Sequence, residues 1–121
     1  MSEANKALIR RYLDTFNEDY RAALDEYVTD EGLRQHVPHM QGVFPGYQMI
    51  AEDVIAEGDK VVVRATMHGT HQGELMGIPP TGKQVTVSMI VVYRIVDAKI
   101  AEHWIVADQL GLMQQLGAVL A

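Results

Sequence analysis

The residues best suited to chemistry lie near the end of the chain, in Lys99-Ile-Ala-Glu-His-Trp-Ile-Val-Ala-Asp108. Glu102, Trp104 and Asp108 stand at even intervals, so on a β-strand all three share one face. A carboxylate that ends an apolar strand beside an indole is partly desolvated. Desolvation raises a carboxyl pKa toward the range of a general base. Asp108 is therefore the candidate base, able to remove a proton from a carbon flanked by carbonyl groups. The resulting enolate needs a hydrogen-bond donor, which His71, Gln109, Tyr12 or a backbone N–H could supply. The alternative for Asp108 is an N-cap on the helical turn that follows. Glu102 reads either as a second acid on the same face or as a cross-strand ion-pair partner of Arg64 or Lys60. Trp104 is expected in the pocket wall.

The histidines raise the question of a metal. His36-x-x-His39 fits one helix face. His68-x-x-His71 does not fit a strand, where residues three apart point to opposite faces. No carboxylate completes either set at a ligand spacing, so no metal is expected. The chain has no cysteine, which removes disulfides and thiolate chemistry. His71 ends a strand beside a long loop. It is read as a substrate contact, with a satisfied rim histidine as the alternative. Tyr12, Phe16, Met67 and Met89 would line an adaptable pocket, or else simply fill the core.

The elements that must position these groups follow from periodicity. Leu8, Ile9, Tyr12, Leu13 and Phe16 keep a helical period, with Ser2 available as N-cap. A second helix fits Asp19 to Val28. A third fits Glu31 to Met40, which Pro38 is expected to kink or end. After Phe44-Pro45-Gly46 the period changes. Tyr47–Glu57, Lys60–His71, Lys83–Val96 and Lys99–Ala107 read as strands rich in Val, Ile and Thr. Tight turns fall at Glu57-Gly58-Asp59 and Val96-Asp97-Ala98-Lys99. The loop from Gln72 to Gly82 is longer than a hairpin needs and is placed at a pocket mouth. A last helical stretch runs from near Gln109 to Gly117. Helices followed by an antiparallel sheet make an α+β plan, with the sheet curled around the helices as a cone. Ile90, Val92, Ile105 and Ala107 are assigned to the outer sheet face, where they would favour a homodimer.

Composition narrows the function. The 121 residues are 48% hydrophobic and suffice for one domain over 1–121. Ten basic against sixteen acidic side chains leave a net charge of −6, which argues against nucleic acid as a partner. No apolar run is long enough for a membrane span, and Met1-Ser-Glu-Ala-Asn-Lys lacks the apolar core of a secretion signal. A cytoplasmic protein is expected.

Several segments carry a family pattern. They are Glu57-Gly-Asp-Lys-Val-Val-Val-Arg64, Gly69-Thr-His-Gln-Gly-Glu-Leu-Met-Gly-Ile-Pro-Pro-Thr-Gly82, Tyr93-Arg94-Ile95, Lys99-Ile-Ala-Glu-His-Trp104 and Asp108-Gln-Leu-Gly-Leu-Met-Gln-Gln-Leu-Gly117. The chain closely resembles the SnoaL-like polyketide cyclase or ester cyclase family of the NTF2-like superfamily. The resemblance implies a cone-shaped α+β fold, usually dimeric. It implies an intramolecular aldol closure without metal or cofactor, with the family's essential aspartate matched to Asp108. Three departures stand out. The strand between the second and third helices is shortened, because Tyr27-Val28-Thr29 runs almost directly into Asp30-Glu31-Gly32. Val91 stands where many relatives carry a polar pocket residue. Ala98 stands where relatives often have the glycine of the turn.

Two functions follow. The first is a SnoaL-like enzyme acting by acid/base chemistry on a small apolar carbonyl compound, with an aldol-type cyclisation or a related isomerisation or hydrolysis. Asp108 and His71 would be catalytic, with Glu102, Trp104, Tyr12, Phe16, Met67, Met89 and Val91 around the substrate. The second is a non-catalytic ligand-binding protein on the same cone. The related epoxide hydrolases and ketosteroid isomerases are disfavoured, because Val85–Tyr93 supplies none of the buried acids those sites use.

Overall fold

The computed structural model describes residues 2–118. Three helices, α1 (Ser2–Glu18), α2 (Tyr20–Tyr27) and α3 (Glu31–Val43), precede four strands, β1 (Gln48–Glu57), β2 (Lys60–Thr70), β3 (Gln84–Val96) and β4 (Lys99–Ala107), and a short α4 (Gln109–Gln115) follows. The strands pair in sequence order and every neighbouring pair is antiparallel, so the sheet is a meander. This is the expected α+β architecture.

The five apolar positions of α1, Leu8, Ile9, Tyr12, Leu13 and Phe16, are all buried. They meet the inner sheet face, where Val61, Val63, Ala65 and Met67 of β2 and Val85, Val87, Val91, Tyr93 and Ile95 of β3 are buried at every second position. Register shifts at Ala51/Asp53 and Arg94/Ile95 mark bulges, which bend the sheet toward the helices. Asn17, at the end of α1, clamps β1 in both directions. Its Nδ2 donates to Met49 O at 2.9 Å, and its Oδ1 accepts from Met49 N–H at 2.8 Å.

Two local expectations need correction. Ser2 is the first helical residue rather than the cap before it. Pro38 does not end α3 near Met40, since the helix continues to Val43. Proline forfeits one backbone bond, but Val37, Val43 and Phe44 beside it are buried, and that burial holds the helix to its end. The 97–98 turn closes with Asp97 and Ala98 both left-handed, at φ 52° and 60°. A two-residue hairpin turn of this type wants Gly or Asn, so Ala98 carries the strain.

The segment read as shortened passes directly from one helix to the next. α2 passes to α3 through Val28–Asp30, and Val28 makes a single parallel bridge to Ile100. The N–H groups of Thr29 and Asp30 both donate to Ile100 O, at 3.0 and 3.1 Å. One bridge and two hydrogen bonds stand where relatives are expected to run a strand, and they bring α3 against β4.

Candidate functional site

A cavity of about 260 Å³ lies between the helices and the concave sheet face. α1 contributes Tyr12, Leu13 and Phe16, and α3 contributes Leu33, His36, Val37 and Met40. The α3 residues follow from a turn-by-turn spacing that puts 33, 36, 37 and 40 on one helix face. β3 and β4 add Val91 and Ile105, which are direct cross-strand partners. His36, Met76 and Gln109 line the cavity and are also exposed, so they mark its mouth.

The mouth carries the site's one histidine. Although His36 is exposed at the mouth, partial desolvation of its ring beside the cavity wall lowers its pKa below the ordinary value, and His103 and His39 lower it further. The ring is therefore neutral at pH 7 and able to accept a proton. The His103 ring lies 6.4 Å away, centroid to centroid. Its Nδ1 is hydrogen-bonded to Oδ2 of Asp30, the N-cap of α3, and both side chains are largely shielded.

The aromatic side of the cavity holds three tyrosines. Tyr12 and Tyr93 meet edge to face at 5.9 Å, and Tyr47 packs on Phe16 at 5.4 Å. Burial raises all three phenol pKa values, so the hydroxyls stay protonated and act as donors.

Five residues expected around a substrate, Tyr12, Phe16, Met67, Met89 and Val91, lie in the cavity lining. Glu102 and Trp104 do not. They sit on the outer sheet face, where Glu102 pairs with Arg94 and Trp104 lies across from Val92. Arg94, the direct cross-strand neighbour, takes the place of the expected Arg64 or Lys60. Arg64 is engaged with Asp53 at 2.6 Å. Ile105 and Ala107, assigned to the outer face, instead line the cavity, whereas Ile90 and Val92 do lie outside.

Asp108 continues the outer face and borders a shallow depression there with Ser88, Ile90 and Val106. Its Oδ1 accepts from the Gly111 N–H at 2.8 Å, capping α4. The carboxylate folds so closely over the turn that a Cβ at Gly111 would come within 2.3 Å of Oδ2. Asp108, expected at the pocket floor or rim or else as a helix cap, is absent from the cavity lining and takes the capping position, because the face of β4 that carries it points away from the helices.

His71 is likewise outside the lining. It is fully buried, with Nδ1 accepting from Thr81 N–H at 3.2 Å and lying 3.0 Å from Thr81 Oγ1. Its backbone bonds to Lys83 and Gly82, so it anchors the base of the 72–82 loop. No group of three or more His, Cys, Asp or Glu side chains that could hold a metal occurs among the described residues. None of the described helices is long and apolar enough to cross a membrane.

His36, Tyr47 and Tyr93 were not singled out for the pocket. The signal for His36 was its place one turn from Leu33 and Met40. For Tyr93 it was the alternation of β3.

An α+β cone whose helices and concave sheet face border a cavity lined mainly by aliphatic and aromatic side chains is the architecture of the NTF2-like class. The family model for SnoaL-like polyketide cyclases matches residues 2–116, and the chain belongs to that family. Aklanonic acid methyl ester cyclase DauD of Streptomyces sp. (strain C5) is 29% identical over 128 residues, covering 91% of this chain and 80% of that protein. AclR from Streptomyces galilaeus, whose structure is described as that of a candidate hydroxylase, superposes with a TM-score of 0.87 at 28% identity, covering 100% of this chain and 89% of that one. TsrD from Streptomyces laurentii superposes with a TM-score of 0.84 at 29% identity, covering 98% and 99%.

Proposed function

We propose that the protein is a cyclase that closes a ring within a small, largely apolar carbonyl compound held in the cone cavity, with His36 as the base. The observation that carries this reading is the place of His36 at the mouth of a cavity lined mainly by aliphatic and aromatic side chains, where partial desolvation holds its pKa below the ordinary value. The His36 ring takes the proton from a carbon between carbonyl groups. The enolate carbon attacks a second carbonyl of the same molecule, one C–C bond forms, and the new alkoxide takes the proton back from the imidazolium. The reaction is redox-neutral and returns the proton it borrows, so its balance calls for no metal or cofactor. Cyclase activity is favoured over hydroxylation because the curated relatives act on methyl esters by ring closure, as their names state. Asp108 caps a helix on the other side of the sheet, and its role in this reading is structural.

The test is incubation of the purified protein with aklanonic acid methyl ester and nogalonic acid methyl ester. A product of unchanged mass and altered retention is expected. His36→Gln should abolish its formation, and Asp108→Asn should leave it largely intact. Full activity of His36→Gln, or loss only in Asp108→Asn, overturns the assignment.

A second reading is a non-catalytic binding protein. It is favoured by Val91 and Ile105, paired across β3 and β4, which present only hydrocarbon to the cavity. Recovery of both esters unchanged from a stable complex would support it.

The outer face supports a homodimer. Ile90, Trp104 and Val106 are 48%, 48% and 75% exposed and adjoin one another across β3 and β4. Light scattering on the wild type should give twice the chain mass, and Trp104→Glu with Val106→Lys should give a monomer. A monomeric wild type at high micromolar concentration overturns the dimer.

A further inference from the structure

The three cavity tyrosines have hydroxyls that the protein itself leaves unused. Tyr12 on α1, Tyr47 just before β1 and Tyr93 on β3 are 2%, 7% and 3% exposed. A buried hydroxyl ordinarily finds a hydrogen-bond partner. None of the three has one among the described residues, although the side chain of Asn17 nearby both donates to and accepts from Met49 of β1. The sole side-chain polar atom that is both sealed and unpartnered among the described residues is Nε2 of His71. The phenol oxygens are therefore not sealed in packing; they open into the cavity their rings line.

The three rings belong to one aromatic cluster: Tyr12 meets Tyr93 at 5.9 Å, and Phe16 lies between Tyr12 and Tyr47 at 6.0 and 5.4 Å. Ionisation of Tyr12 is opposed by Tyr93 and Tyr47, and that of Tyr93 by Tyr47, so each phenolate would feel the next. α1, β3 and the segment before β1 thus bring three phenols into one mainly apolar lining. Core packing alone would be served as well by phenylalanine, as it is at Phe16 in the same cluster.

We propose that Tyr12, Tyr47 and Tyr93 form a donor site for paired oxygen atoms of the ligand, selecting compact 1,3-dicarbonyl or ortho-hydroxyketone compounds. A cavity of about 260 Å³ lies just below the range common for small-molecule sites, ~300–1,000 Å³, which favours a compact ligand or the oxygen-bearing end of a larger one that extends through the mouth. The donors bind an enolate oxygen more strongly than a ketone oxygen, so the same site stabilises the charge that proton removal creates. That consequence rests on the cyclase reading. The binding site itself does not, and it is measurable without turnover.

The test uses the full chain and two probes of similar shape, 2-acetyl-1-naphthol and 2-ethylnaphthalene. Titration calorimetry compares the wild type with Tyr12→Phe, Tyr47→Phe and Tyr93→Phe. Each variant should bind the acetylnaphthol about 3- to 10-fold more weakly, the loss of one neutral hydrogen bond, and the hydrocarbon within about twofold of wild type. The hydrocarbon also reports on folding, since a variant that still binds it retains its cavity. An absorbance titration of the bound naphthol should show its pKa higher in each variant than in the wild type. Equal weakening of both probes, no weakening of the acetylnaphthol, or wild type that binds neither probe would overturn the proposal. Selective loss of acetylnaphthol binding with no ester turnover would uphold the site and refute the cyclase reading alone.

Discussion

Asp30 uses its two carboxylate oxygens for different tasks, and their separate contributions can be measured. Oδ1 accepts from the Gly32 N–H at 2.9 Å and caps α3. Oδ2 is bonded to Nδ1 of His103 on β4. The cap contributes about 1 kcal/mol. The second bond joins a carboxylate to an imidazole, with side chains only 14% and 16% exposed. A hydrogen bond to a charged group in such surroundings contributes about 1.5–3 kcal/mol. Asp30→Ala loses both and should cost about 2.5–4 kcal/mol, against a usual total of about 5–15 kcal/mol for a domain. Asp30→Ser retains a capping oxygen but cannot reach His103, so it should cost about 1 kcal/mol less. Urea denaturation at neutral pH reads both values, as a lower midpoint at unchanged slope. A cycle combining Asp30→Ser with His103→Gln should give a coupling of 1 kcal/mol or more, on the order expected of contacting residues. If Asp30→Ser is as damaging as Asp30→Ala, or the coupling is below about 0.5 kcal/mol, the division of labour is wrong. The result bears on function, because this bond fixes the first turn of α3 to β4, and α3 carries His36 to the cavity mouth.

Other expectations follow from the same structure. Ala98→Gly should stabilise the fold by about 1 kcal/mol, read as a higher melting temperature, because it removes a Cβ from a left-handed position at φ 60°. Gly73→Ala should destabilise by about 2 kcal/mol or more in the same assay, since its Cβ would lie 2.1 Å from Gly42 O where the long loop crosses the end of α3. His36 has a depressed pKa, so its base form persists below the usual histidine value of about 6.5. The acid limb of kcat/KM should therefore lie below pH 6.5, and a limb centred above it would exclude His36 as the base. The same depression means that the unfolded chain binds the proton more readily. Stability contributed by this group is present above about pH 6.5 and is lost as pH falls through the folded pKa, which denaturation at several pH values would reveal.

Much of the fold was legible because each element declares itself locally. The five buried positions of α1 were read directly from their spacing, and the bounds of β4 from Val, Ile and a turn on each side. The α3 boundary was missed because a proline rule is local, while the burial of Val43 and Phe44 that extends the helix is tertiary. The cavity lining was half legible. Tyr12, Phe16, Met67, Met89 and Val91 lie on strongly periodic elements. Tyr47 precedes β1, outside any repeating pattern, and its place beside Phe16 is set by the packing of β1 on α1.

The face of β4 was the critical ambiguity, and its cause is physical. Glu102, Trp104, Val106 and Asp108 do share one face, as their spacing requires. Hydrophobicity favours turning that face inward, since Trp104 and Val106 outweigh Ile105 and Ala107. Two long-range facts decide otherwise. The register shift opposite Arg94/Ile95 lets Ile100 stay buried while Glu102, two residues on, faces out, so parity counted from Ile100 fails at the bulge. Arg94, across from Glu102, fixes that carboxylate on the solvent side of the sheet. Everything beyond the bulge follows. Trp104 and Val106 join Ile90 and Val92 in an exposed apolar patch, Asp108 is carried to the cap of α4, and His103 turns inward to meet Asp30. A single inserted residue therefore exchanges the two faces of β4. It turns the acid-bearing face to solvent and leaves His36 of α3 as the one histidine in the cavity lining.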